Sequence, residues 1–277
     1  MKNILIPTDF SINARNALQY ALSYFGDIAV NFYILHVDNA DISKIKSEDG
    51  FLLTLDKDKQ TSTKKLLQKE VDFCKKSSEN PTHNFVPLFS DQSLVEAVRE
   101  CISKKEIEYI VMGTRGASKT LDNKIGSFTY EIISKVKCPT IIVPSQAIYY
   151  NFKNIALLTD YNNWDKNKMF VNLYETLIFK KVNLQILQIH NKHHGWTHLQ
   201  ADTKDFLIDL LRRVDYKLYS LTNEDIDLNI QYYITKLDID MVALVGRNIN
   251  FVQQLLFQPK PEDITYRLKV PFLILHD

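Results

Sequence analysis

The sequence predicts an α/β protein made of two tandem, doubly wound domains, and three observations lead there. Short apolar runs of strand length alternate with segments of helical period along the whole chain. The stretch Lys2-Asn3-Ile4-Leu5-Ile6-Pro7-Thr8-Asp9-Phe10 recurs as Lys153-Asn154-Ile155-Ala156-Leu157-Leu158-Thr159-Asp160-Tyr161, and Val136-Lys137-Cys138-Pro139-Thr140-Ile141-Ile142-Val143 resembles Leu268-Lys269-Val270-Pro271-Phe272-Leu273-Ile274-Leu275. Finally, 277 residues at roughly 150 residues per domain leave room for two cores. Two copies of one domain follow, 1–147 and 148–277.

In the first copy, strands are predicted at about 3–8, 29–37, 84–89, 107–112 and 140–144, each short, rich in Ile, Val, Phe and Tyr, and bounded by turn residues. The first helix follows Ser11 as N-cap, with Ala14, Ala17, Leu18, Ala21, Leu22 and Phe25 on one stripe. A second covers roughly 62–77. A third, after Asp91, carries Leu94, Val95, Val98, Cys101 and Ile102 on one face, and a fourth begins near Gly126. Alternating βα units with apolar strands imply a parallel sheet covered on both faces. In the second copy, a strand read at Leu228–Ile234 runs almost directly into another at Met241–Val245. A parallel crossover needs a dozen or more residues, so this copy is expected to lack its third helix and to reroute one strand.

Composition narrows the function. Lys and Arg total 34 against 33 Asp and Glu, a net charge of +1, which gives no basic field for nucleic acid. No apolar run reaches the ~18 residues of a membrane span, and the N-terminus enters a strand and meets Pro7 before any signal-peptide core could form. A cytoplasmic protein, with neither nucleic-acid nor membrane partners, is expected. Cys74, Cys101 and Cys138 form no CxxC pair, so a disulfide framework and a structural zinc are not expected.

Three of the seven glycines fall between positions 113 and 126, as Gly113-Thr114-Arg115-Gly116, a nine-residue spacer, then Gly126-Ser127. The segment runs from the end of the fourth strand to the start of the last helix. Glycine lets backbone approach a ligand closely, and a helix N-terminus offers unpaired N–H groups with the positive end of the dipole. In an open parallel sheet, ligands bind beyond the carboxyl ends of the strands where their order reverses. If strands one and four flank that point, Asp9 meets the glycine loop and serves the nucleoside end, since beside phosphates its charge would repel them.

Pro7-Thr8-Asp9, Leu35-His36-Val37, Val111 to Gly116, Gly126-Ser127-Phe128-Thr129 and Cys138 to Pro144 together resemble a universal stress protein of the UspA type. Gly-x2-Gly-x9-Gly-Ser is that family's ATP-binding signature, and it is complete here. The likeness covers nearly all of residues 1–145 and, more weakly, the second copy. It implies Rossmann-like domains with strand order 3-2-1-4-5 and a bound adenine nucleotide, ATP, ADP or AMP, with Mg²⁺ as a conceivable companion. Pro7 and Asp9 would line the adenosine pocket and the Val37 backbone would contact the base. Met112, Gly113, Arg115 and Gly116 would form the loop, and Gly126, Ser127, Phe128 and Thr129 would receive the phosphates. Family members pair through the fifth strand, so a tandem chain could form that pairing internally, as a pseudo-dimer of Thr140–Val143 with Phe272–Leu275; a homodimer and a protein partner stay open.

The second copy keeps Asp160 and one Gly246-Arg247, but its matching helix start reads Gln258-Pro259, and proline has no N–H to offer. One nucleotide per chain, in the first domain, is expected. The histidines His190, His193, His194 and His198 read as a solvated loop rather than a metal site. Asn39–Gln60 reads equally as a cover over the nucleotide or as a surface loop. The apolar segment Phe251–Phe257 reads as filling the vacated second pocket or as a partner surface. No general base stands beside the phosphates, so the expectation is a stress-response regulator that binds ATP and is not an enzyme. Slow ATP hydrolysis, adenylyl transfer and a nucleotide-free interaction module are the alternatives.

Overall fold

The computed structural model describes residues 1–38, 57–114, 127–150, 153–162, 168–190, 195–222, 226–245 and 270–276. Its contacts divide the chain into two compact units, residues 1–120 with 126–138, and 121–125 with 139–277. The five strands of the first copy are β1 (Lys2–Pro7), β2 (Val30–Val37), β3 (His83–Ser90), β4 (Tyr109–Gly113) and β5 (Thr140–Val143). They run in the order 3-2-1-4-5, with β1 parallel to both β2 and β4. β1 is therefore the strand at which the order reverses. β5 pairs antiparallel with β10 (Phe272–Leu275), Ile141 opposite Leu273, and its contacts group it with the second unit. The contact boundary between the units lies at 138/139, with 121–125 also grouped with the second unit.

The helices of the first copy form where period and caps coincide. In α1 (Ile12–Tyr24) the Ser11 hydroxyl accepts from the Ala14 amide at 3.2 Å, and Ala17, Leu18, Ala21 and Leu22 are buried. α2 (Lys57–Ser77) buries Leu67, Val71 and Cys74. α3 (Leu94–Lys105) opens with a reciprocal capping box between Ser93 and Glu96. It closes over a core that includes Leu5, Leu35, Val98, Ile110 and Ile132. α4 (Ser127–Lys135) completes the set.

The second unit repeats the pattern with β6 (Asn154–Thr159), α5 (Lys168–Lys180), β7 (Asn183–His190), α6 (His198–Leu210), β8 (Tyr216–Thr222), α7 (Ile226–Lys236) and β9 (Met241–Val245). Its strands lie in the order β5-β10-β9-β6-β7-β8, parallel apart from the β5–β10 pair. This corrects the expected absence of a third helix. Residues 228–234 belong to α7, and the strand that precedes it is β8, at Tyr216–Thr222. Composition misled here because β-branched and aromatic residues suit strands and buried helix faces alike, and tertiary packing decided. Ile230 is buried and the Tyr233 ring packs 5.3 Å from Tyr219 of β8.

Candidate functional site

The chain leaves β1 at Pro7 through a turn held by its own side chains. Thr8 N–H donates to the Leu35 carbonyl at 2.8 Å, anchoring the turn to β2. The Phe10 amide donates to the Thr8 hydroxyl (3.1 Å) and the Ser11 amide to Asp9 Oδ1 (3.0 Å). These bonds keep Phe10 at φ 63°, a left-handed conformation uncommon outside glycine. The Phe10 ring stacks on His36 at 4.4 Å. His36 Nδ1 lies 2.7 Å from the Thr8 carbonyl, which can only accept, so Nδ1 carries the proton. A small Thr, a carboxylate and an aromatic residue in this order thus present Asp9 at the carboxyl end of the central strand.

β4 ends beside this turn, every one of its residues buried. Its last residue is a glycine for a steric reason. A Cβ on Gly113 would stand 3.0 Å from the carbonyl oxygen of Asn13 and 3.2 Å from its carbon, so the first turn of α1 passes closer than an ordinary side chain would leave it without a small shift. The Gly113 carbonyl accepts from the buried Thr129 hydroxyl at 2.9 Å. This bond ties the first turn of α4 to the end of β4. The Thr129 hydroxyl is therefore engaged in holding the helix start.

Between these elements lies a crevice lined by Pro7, Thr8, Asp9, Ala14, Val37, Leu94, Met112, Gly113, Phe128 and Thr129. Every described residue singled out from sequence lines it except Ser127, which begins α4 and whose side chain lies outside the described residues. Arg115, Gly116 and Gly126 also lie outside them, as do most of 39–60, His193, His194, Gly246-Arg247, Phe251–Phe257 and Gln258-Pro259. The sequence reading missed Thr8, Ala14 and Leu94. Leu94 was within reach, because a Ser93 cap places it at the carboxyl end of β3, where a crevice wall belongs. Among the described residues no group of three or more His, Cys, Asp or Glu is placed to hold a metal.

The universal stress protein family model matches residues 1–144. The chain belongs to that family. The universal stress protein MJ0577 of Methanocaldococcus jannaschii is 27% identical over 154 residues, 51% of this chain and 94% of that one. A universal stress protein from Archaeoglobus fulgidus covers 98% of this chain and 97% of its own at 15% identity, with a TM-score of 0.68. A functionally unknown protein from Pseudomonas aeruginosa covers 99% and 92% at 12% identity, with a TM-score of 0.57. Both structural likenesses run through the two copies, so the tandem fold is shared over the whole chain.

The second copy keeps the turn that follows β1 in the first. The Tyr161 amide donates to the Thr159 hydroxyl (2.9 Å) and the Asn162 amide to Asp160 Oδ1 (3.0 Å), with Tyr161 at φ 58°. Here the turn is covered. Tyr161 is 1% exposed, its hydroxyl donates to Gln188 Oε1 at 3.3 Å, and the Trp196 ring stands 5.2 Å away. Gln200, in the capping box of α6, donates to the Asp160 carbonyl at 2.8 Å. Burial pushes the Tyr161 phenol well above its ordinary range.

Proposed function

We propose that this universal stress protein binds one adenine nucleotide, in the crevice of its first unit, and acts as a regulatory binding protein rather than as an enzyme. The observation that carries the reading is the cavity itself. It sits at the carboxyl ends of β1 and β4, where the strand order reverses. A nucleotide fits these residues chemically. Pro7, Ala14, Leu94 and Met112 offer apolar walls to a base, Asp9 offers carboxylate oxygen to sugar hydroxyls, and the first turn of α4 brings Phe128, Thr129 and a helix N-terminus toward the anionic end. ATP, ADP and AMP share the chemistry that these residues meet.

The test is to denature freshly purified protein, identify released nucleotide by chromatography and mass spectrometry, and compare wild type with Gly126→Asp and Asp160→Asn. Near-stoichiometric ATP or ADP, lost in Gly126→Asp and kept in Asp160→Asn, is expected. No released nucleotide, together with no binding of added ATP and Mg²⁺, would overturn the reading in favour of a nucleotide-free interaction module. Pyrophosphate release with a co-substrate would favour adenylyl transfer.

A further inference from the structure

The same row of the sheet is apolar in the first copy and polar in the second. Across β1, β2 and β3 it reads Leu5, Tyr33, Val86, paired in register, and Tyr33 packs into the core under α3. The corresponding row across β6, β7 and β8 reads Ala156, Gln185, Lys217. Side chains alternate across a strand, so Asp215 and Tyr219 share the face of Lys217, and Asn183 shares that of Gln185. In place of the Tyr33 packing there is an open cleft lined by Gln185, Asn183, Asn154, Asp215, Lys217 and Tyr219 with two neighbours.

Gln185 is 7% exposed, and its amide orientation is determined. Asn154 Nδ2 donates to the Leu237 and Asp238 carbonyls, which leaves Asn154 Oδ1 to accept from Gln185 Nε2 at 3.4 Å. Gln185 Oε1 then has no hydrogen-bond partner. A buried acceptor left unpaired is destabilising, so an orphan of this kind calls for a donor. Beside it Lys217 and Asp215 are exposed and enter no ion pair among the described residues.

We propose that this cleft of the second unit binds a free α-amino acid. One unpaired acceptor with a carboxylate nearby suits an ammonium group, and one ammonium on the same face suits a carboxylate. Tyr219, held against Tyr233 of α7, with Leu237 gives the ligand's side chain an apolar wall. A nucleotide or inorganic anion would meet Asp215, and a simple cation would meet Lys217; a zwitterion satisfies both. The cleft lies at the amino ends of the strands, and the proposal stands independently of nucleotide binding.

The experiment is ligand-observed saturation-transfer NMR on the full chain, with the proteinogenic L-amino acids as probes and acetate and methylamine as single-charge controls. At least one amino acid is expected to bind, with both controls silent. Lys217→Ala, at an exposed position, is expected to weaken binding tenfold or more. Gln185→Leu, which replaces the orphan by a residue of similar volume, is expected to abolish binding while the chain stays folded by circular dichroism. Released nucleotide is expected to be unchanged in both variants. No transfer to any amino acid at millimolar concentration, binding that survives both substitutions, or equal binding of acetate or methylamine would overturn the proposal.

Discussion

Gly113 is where one missing carbon positions the crevice. Gly113→Ala is expected to force the first turn of α1 outward, because the new Cβ meets backbone rather than the flexible end of a side chain. A loss of about 1–2 kcal/mol follows, read as a lower urea midpoint, and weaker nucleotide retention should accompany it. An unchanged midpoint would mean that Asn13 yields freely. Cys74 makes the opposite case, a residue whose chemistry is suppressed. Burial, with the Glu70 carboxylate adding to it, pushes its thiol up to about 12. The neutral form is thus favoured, and reactivity should rise only as pH approaches that value. Brief iodoacetamide treatment at pH 8, followed by peptide mass spectrometry, should label half-buried Cys101 before Cys74 and Cys138. Early labelling of Cys74 would show that α2 opens readily.

At the scale of elements, α3 shows how a local signal reaches the site. Its capping box sets the start of the helix, and the first residue inside, Leu94, is a wall of the cavity. Ser93→Ala should cost about 1 kcal/mol, measured by thermal or urea unfolding, and should weaken nucleotide binding by loosening that wall. Loss of stability with unchanged affinity would separate the cap from the site. Elements with such punctuation were legible: the Ser11 cap and the apolar stripe of α1 lie where the periodicity put them, and α3 follows Asp91 as expected. α7 was not, because Leu228–Ile234 carries residues that suit either state. What makes it a helix is contact with β8, with Ile230 turned inward and Tyr233 against Tyr219.

For the whole molecule, two compact units imply departure from a single two-state transition. A ligand that binds one folded unit stabilises that unit alone, by about 2.7 kcal/mol at a hundredfold excess over Kd. Saturating ATP should therefore raise the first unit's melting transition and leave the second where it is, followed by calorimetry. Equal shifts of both would contradict a single first-unit site.

The sequence by itself determined the tandem repeat, the parallel α/β class and the strand positions of the first copy, which follow from periodicity and turn chemistry, local properties of the chain. The family resemblance, rather than periodicity, pointed to Pro7, Val37 and Met112, which line the crevice with Asp9 and Gly113. The tertiary structure decided that α7 is a helix, that the Thr129 hydroxyl ties α4 to β4, that Tyr161 and Trp196 cover the second copy's turn, and that Gln185 is left without a partner. Each of these depends on which groups from distant positions compete for the same space or the same hydrogen bond, and that competition exists only once the sheet has assembled.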